Sequence, residues 1–282
     1  MYFKDFVNHF LNRVSVILVI ITTIIWWLAY FYNEVNPAAM PEYTITDWTK
    51  EVKFQAMSHI WTKQFYDQVV KNLTDYKTKW WVYFFEWVKP GTTENWDKFD
   101  KAIWMNFDKD LYKNFSKLYW VTNQDNSIFL WLVNDLDFNV DFNMDEIVAK
   151  YEEKMNEKPI WEREYKSKLP VDANKVIIET LAWLNDRQLK LLVYVNQAIL
   201  NFIIWSEDTQ SFLTDNFTNK DLFEVILGER NKVVANAILK SKYDKIYVTY
   251  WLLHFNWVFE LLKQNNPKWH IVSEQKLYPI KK

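Results

Sequence analysis

The stretch VKFQAMSHIWTKQFYDQVVKNLTDY, residues Val52 to Tyr76, decides the fold. VKFQAM alternates weakly in polarity and ends in the polar pair Ser58-His59. The segment after it sets apolar side chains at Phe65, Val69, Val70 and Leu73, the steps of three and four that line one face of a helix. Strand followed by amphipathic helix is the repeating unit of an α/β fold, and the pattern recurs. VYFFE (Val82 to Glu86) is a short β-rich run, and the chain beyond Pro90-Gly91 turns helical. KIYVTY (Lys245 to Tyr250) reads as a strand, HFNWVFELLKQ after it as a helix, and WHIV (Trp269 to Val272) as a last strand. Strand alternating with helix predicts a mostly parallel sheet flanked by helices.

Between these α/β portions the pattern is helical. Two short amphipathic helices fall between Asn95 and Tyr119, and NMDEIVAKYEEKM is a helix with Asn143 or Asp145 as its N-cap. Ile177, Leu181, Leu184, Leu191, Val195, Ala198 and Phe202 then form a heptad-like seam with Gln188 as its polar interruption. We read about 143–215 as a helical insertion. A second membrane span over Leu189 to Trp205 is disfavoured by Lys190, Asn196, Gln197 and Asn201.

Toward the N-terminus, Val14 to Tyr32 (VSVILVIITTIIWWLAYFY) carries no charge and matches the ~20 residues needed to cross a bilayer core. Lys4 and Arg13 precede it, while Glu34 and Glu42 follow, so the positive-inside bias places the N-terminus in the cytoplasm and the rest of the chain outside. The competing reading is a cleaved signal peptide with Ala38 and Ala39 near the cut, but this apolar run exceeds the ~7–15 residues of a cleavable one. The expected organisation is a cytoplasmic stub and anchor over 1–36, a proline-containing linker over 37–46, and an α/β domain over 47–282.

The balance of 34 basic against 36 acidic residues, with no basic run, argues against a nucleic-acid partner. With no cysteine, the chain has no disulfide, thiolate metal site or Cys nucleophile, so any metal is held by His and carboxylate. Seventeen Trp stand beside two Gly, in place of the roughly 7% Gly of an ordinary chain. An AT-rich genome depletes Gly but does not enrich Trp. The composition therefore predicts an alternative genetic code, in which UGA codons that the source organism reads as Gly stand here as Trp.

Ligands of an open α/β sheet bind beyond the carboxyl ends of its strands. His59, Glu86 and His254 each follow a predicted strand. Two imidazoles and a carboxylate are a sufficient donor set for a divalent ion with open positions for water. His270, in the terminal strand, reads as structural, Gln124-Asp125-Asn126 as a capping turn, and Asp135, Asp137, Asp141 and Asp145 as a solvated loop.

FQAMSHIWTKQFYDQV, YFFEW, GERNKVVANAI and IYVTYWLLHFNWVFELL, in that order over roughly residues 50 to 275, resemble the TraB/GumN family. Its members carry two Gly-x-x-His motifs, a Glu closing the second strand and an Arg-Asn pair ahead of the last motif. Ala56-Met57-Ser58-His59 and Trp251-Leu252-Leu253-His254 stand at the two motifs, Glu86 at the acidic position, and Arg230-Asn231 at the pair. Trp61, Trp87, Trp251 and Trp257 stand where the family tends to show Gly, in keeping with the codon reading. Trp269 reads as genuine.

The resemblance implies a membrane-anchored, metal-dependent hydrolase, peptidase in character, acting on extracytoplasmic peptide or protein. Its animal relatives called Tiki trim an extracellular ligand, and bacterial relatives limit peptide-pheromone signalling. By the same resemblance His59, His254 and Glu86 hold Mn²⁺, Co²⁺ or Zn²⁺, with Glu86 as ligand or general base, and Arg230 orients Glu86 or stabilises an oxyanion. The alternative is a membrane-anchored regulator that binds a peptide without cleaving it.

Overall fold

The computed structural model describes residues 2–103, 110–158, 172–206, 208–209 and 219–278. Helix α1 (Tyr2–Tyr30) runs into one π-helical turn (Phe31–Val35). After it come β1 (Met40–Thr46), β2 (Glu51–Met57), the short β3 (Ile60–Trp61), α2 (Lys63–Thr78) and β4 (Val82–Phe85). The middle of the chain forms α3 (Thr93–Ile103), α4 (Leu111–Tyr119), β5 (Thr122–Asn123), α5 (Asn126–Leu130), β6 (Phe138–Asn139) and α6 (Met144–Asn156). Helices α7 (Ala173–Trp183), α8 (Asp186–Trp205) and α9 (Lys220–Phe223) lead to a π-helical turn (Glu224–Glu229) and α10 (Arg230–Lys240). The chain closes with β7 (Lys245–Trp251), a 3₁₀ turn (Leu252–His254), α11 (Phe255–Asn265) and β8 (His270–Leu277).

The six-stranded sheet has the order β6-β4-β7-β2-β1-β8, and helices cover both faces. The pairs β6–β4, β4–β7 and β7–β2 are parallel, while β1 pairs antiparallel with both β2 and β8. The sheet is thus mixed and mostly parallel. Its central strands are apolar on both faces for the reason common to parallel sheets: neither side meets water. Val52, Phe54, Val82, Phe84, Ile246 and Val248 point to a core shared with α10 and α11. Their neighbours Tyr83, Phe85 and Tyr247 point the other way, against α2. Each such side chain, fully buried, contributes roughly 1.5–3 kcal/mol of transfer free energy.

Local signals set the helix starts. Thr62 caps α2, accepting a hydrogen bond from the Phe65 N–H at 3.3 Å. At α6 the cap is Asn143, in a full capping box with Glu146 at 2.9 and 2.8 Å.

One expectation is corrected. The presumed linker over 37–46 contains strand β1, in which Met40 and Ile45 are completely buried. The two prolines hid it. Pro41 is the second residue of the strand, paired with Lys276 of β8 but standing before the β1–β2 ladder begins at Glu42–Gln55, and a strand start is where a proline is tolerated. The charge of buried Glu42 is met by the Tyr76 hydroxyl at 2.6 Å and the Asn72 amide at 3.2 Å. The heptad-like seam forms two consecutive helices. Leu184 is extended and Asn185 caps a new helix, so Ile177 and Leu181 belong to α7 and Leu191 to Phe202 belong to α8. Residues 159–171, 207 and 210–215 of the predicted insertion lie outside the described residues.

Two helical segments among the described residues are long and apolar enough to cross a membrane, Arg13–Val35 and Asp186–Trp205. Among the described residues, Trp48 (φ 77°), Trp80 (φ 65°) and Trp120 (φ 49°) are the non-glycine residues with positive φ, and neither glycine adopts it. That backbone region suits Gly and penalises any residue with a Cβ, Trp included. The three indoles are also exposed, Trp80 by 87%, although Trp is ordinarily among the more buried side chains.

Candidate active site

The carboxyl ends of β2, β4, β6 and β7 lie side by side in the parallel part of the sheet, and each delivers a polar residue to the same place. Glu86 follows β4. Its N–H donates to the Thr249 carbonyl at 3.2 Å, which ties it to β7. Asn139 of β6 brackets the next peptide, accepting from the Trp87 N–H at 3.1 Å and donating to the Trp87 carbonyl at 2.9 Å. The carboxylate is consequently held from both sides. Oε1 accepts from Arg230, and Oε2 accepts from the backbone N–H of Trp251 at 2.6 Å. This last contact is made by the main chain and is independent of the side chain at 251.

Arg230 opens α10 directly after the π-helical turn, an irregularity often found at functional sites. Besides Glu86, it grips Asp141 in a two-pronged fork, Nε to Oδ1 at 2.6 Å and Nη2 to Oδ2 at 2.8 Å. All three groups are buried. The Tyr250 hydroxyl donates to the Val140 carbonyl at 3.2 Å and lies 3.3 Å from Asp141 Oδ1. Burial opposes ionisation of Glu86, but Arg230, the two imidazoles and the Trp251 N–H hold its pKa below the ordinary carboxylate value. Asp141 moves the opposite way. Burial raises it despite Arg230, and the neighbouring charge of Glu86 adds to the rise. Arg230 stays charged throughout.

His254, at the end of the 3₁₀ turn, is completely buried. Its Nδ1 lies 2.6 Å from Asn231 Oδ1, the residue after Arg230 on α10. With the amide oxygen assigned to that side, Nδ1 carries the proton and Nε2 presents a lone pair. Among the described residues no partner meets Nε2, and Asn231 Nδ2 is also unpartnered. Burial lowers the His254 pKa to about 3, against the pull of Glu86, so the ring is neutral at physiological pH. Tyr250 packs edge-on against it at 4.6 Å and Trp251 at 6.0 Å.

His59 stands at the mouth. It is exposed, so water reaches it, while the surrounding protein and then Arg230 lower its pKa against the pull of Glu86. Its carbonyl accepts from the Gln124 N–H at 2.8 Å, which joins the β3–β5 ribbon to the rim. Beside Gln124, Asp125 caps α5, as its turn chemistry predicts.

The structure thus gathers His59, Glu86, Arg230 and His254 within reach of one another's charges. Among the described residues, no group of three or more His, Asp or Glu side chains is arranged to hold a metal ion. Sequence reasoning missed Asp141, which it took for part of a solvated loop. Three of the four aspartates do separate jobs. Asp137 accepts from the Tyr83 N–H at 2.9 Å, Asp145 from the Thr92 N–H at 2.9 Å, and Asp141 alone enters the site. Its position just past β6 is the signal that could have found it, but β6 is only two residues long. His270 is remote in role, with Nδ1 2.8 Å from the Lys268 carbonyl.

A groove of about 540 Å³ runs along the outer side of the same turn, bordered by Leu252, Leu253, Trp257, Ala38 and Glu274. Glu86, Arg230 and His254 do not line it. No protein-family model, curated protein or solved structure matches this chain.

Proposed function

We propose that the protein is a membrane-anchored, metal-dependent hydrolase of TraB/GumN type, peptidase in character, with its α/β domain on the extracytoplasmic side. The observation that carries this reading is His254 Nε2, a buried lone pair with its tautomer fixed by Asn231 and nothing to accept from. A buried polar atom left unpaired costs about 1–3 kcal/mol, and a ligand atom at that point removes the penalty.

The charges favour a cation. Glu86 and Asp141 share one guanidinium, so their full ionisation leaves a net negative charge in a buried site. His254 and His59 would hold the ion by their imidazoles, and Glu86 retains lone pairs beyond those used by Arg230 and the Trp251 N–H. A divalent ion there supplies water of lowered pKa, the usual nucleophile of metallohydrolases. Arg230 spends its donors on two carboxylates, which supports a positioning role for Glu86 over a role at an oxyanion.

In this reading α1 is the anchor, the helices over 143–215 are an insertion in the domain, and most Trp residues are glycine in the natural protein. The three positive-φ tryptophans support the last point independently of composition. The peptide-binding regulator remains the second reading, supported by the indole of Trp251 beside His254 and by the lack of a preassembled three-donor group among the described residues.

The test is a peptide-library digest read by mass spectrometry, with calorimetric titration of metal into wild type and His254→Ala. The hydrolase should stop in chelator, recover with Mn²⁺, Co²⁺ or Zn²⁺, and lose both metal and turnover in the variant. Loss of a ligand that creates the nucleophile removes several kcal/mol, and each ~1.4 kcal/mol is tenfold in rate. A two- or three-fold change, or identical titrations with no cleavage, would defeat this reading.

A further inference from the structure

Helix α8 has three different sides. One faces α4, where Asn196 donates to the Leu118 carbonyl at 3.2 Å and Gln197 to the Tyr119 carbonyl at 2.7 Å. A second faces the end of α1 and the turn after it. Asn33 donates to the Tyr194 carbonyl at 2.7 Å, Asn201 donates to Asn33 Oδ1 at 3.1 Å, and Asn201 Oδ1 accepts from the Ala38 N–H at 3.2 Å. Both asparagines are buried, and the rings of Tyr32 and Phe202 meet edge to face at 5.2 Å. The chain leaving α1 is therefore clasped to the domain and is not a free tether.

The third side of α8 is apolar and largely open, with its Phe202 edge meeting Tyr32 at the seam with α1. Leu191, Val195, Ile199 and Phe202 recur at steps of four, four and three, which places them on one stripe. Leu191 is 42% and Ile199 49% exposed, and Val195 and Phe202 are half-buried. No charge occurs from Leu191 to Trp205, while Arg187 and Lys190 sit at the other end of the helix. The stripe lies next to the seam with α1, whose Val16 to Ile21, Ile24 and Ile25 side chains are themselves exposed and apolar. One apolar surface thus continues from the predicted span onto the domain.

We propose that α8 is a membrane-interface helix, seated on the bilayer beside the anchor with its Leu191–Val195–Ile199–Phe202 stripe in the lipid. This rests on the reading of α1 as a membrane span. The whole helix is long enough to cross, but its charged first turns and its contacts argue against a second crossing. The uncharged part of α8 is only about 22 Å long at ~1.5 Å per residue, against ~30 Å of hydrocarbon, and its middle is bonded to α4. A helix with one apolar face and charges at its rim lies in the interface plane. Together with the asparagine clasp, this fixes the tilt of the domain, so its substrate is presented close to the membrane surface. None of these contacts depends on a tryptophan.

The chain has no cysteine, so a single nitroxide label can be placed at will. The full chain is reconstituted into phosphatidylcholine–phosphatidylglycerol vesicles with one cysteine at Leu191, Ile199, Ile20 or the exposed α2 residue Lys71. Collisions with oxygen, which partitions into lipid, are compared with those of a water-soluble nickel chelate. The expected oxygen-to-nickel ratio is highest at Ile20 and several-fold above the Lys71 value at Leu191 and Ile199. Ratios at the two α8 sites equal to that at Lys71, with Ile20 in lipid, overturn this proposal alone. An aqueous Ile20 overturns the anchor and the proposal with it. Shielding of Leu191 and Ile199 from both reagents means a protein partner, such as a second copy, and also overturns it.

Discussion

His254 Nδ1 and Asn231 Oδ1 lie 2.6 Å apart, and this contact decides which ring nitrogen of His254 is free. Replacement of Asn231 by Leu should release the ring and lower metal affinity and kcat/KM about 10–100-fold, the usual cost of losing the group that orients a histidine ligand. Asn231→Asp should recover much of the loss. Calorimetry and steady-state kinetics on the three proteins check both outcomes, and an unchanged Asn231→Leu enzyme would remove the residue from the site.

Arg230 is the single cation between two buried carboxylates. Arg230→Met should destabilise the fold by ~3–5 kcal/mol, because it leaves Glu86 and Asp141 buried without a counter-charge. Adding Asp141→Asn should restore part of this, since one of the stranded charges is then gone. Denaturant unfolding of the single and double variants measures the coupling, and simple additivity would contradict the fork.

The pH dependence of stability in metal-free protein should carry the mark of His254. Its folded pKa is lowered to about 3 while the unfolded value stays near the ordinary ~6.5. Between those values the unfolded chain binds the proton and the folded one does not, so stability falls as pH drops from about 6.5 toward about 3. Glu86, also depressed, adds loss at the acid end, below its unfolded pKa. His254→Gln should flatten the upper part of this slope, which unfolding midpoints measured from pH 7 to 4 will report.

At Trp48, Trp80 and Trp120, substitution by Gly should stabilise the chain by ~1–2 kcal/mol each, the cost of a left-handed backbone for a residue with a Cβ. Trp131→Gly is the control, because Trp131 is 86% exposed but helical, with φ -62°. It should not stabilise. Peptide mass spectrometry of the natural protein and the codons of its gene give the direct check: UGG codons at positions 48, 80 and 120 would end the glycine reading.

What the sequence determined by itself was periodic or local. Apolar runs at Val82–Phe85 and Ile246–Val248 specified buried parallel strands, and the steps Phe65, Val69, Leu73 specified the helix that covers them. The caps at Thr62 and Asn143 needed only their own neighbours. His59, Glu86 and His254 were legible because a polar residue that ends an apolar strand stands out, and a parallel sheet brings such ends together. Tertiary structure alone decided the rest. Strand β1 was disguised by Pro41, by Pro37 ahead of it and by Glu42, whose carboxylate is bonded by Tyr76 and Asn72, distant in sequence. Asp141 follows a strand too short to show a period, and its partner Arg230 lies 89 residues away. The seam that reads as one heptad run breaks at Leu184-Asn185, where Asn185 caps a second helix, and both α7 and α8 pack on α4 while α8 also packs on α1. A sequence pattern states which side chains avoid water. Only the assembled fold supplies the partners that let a charged or polar one join them.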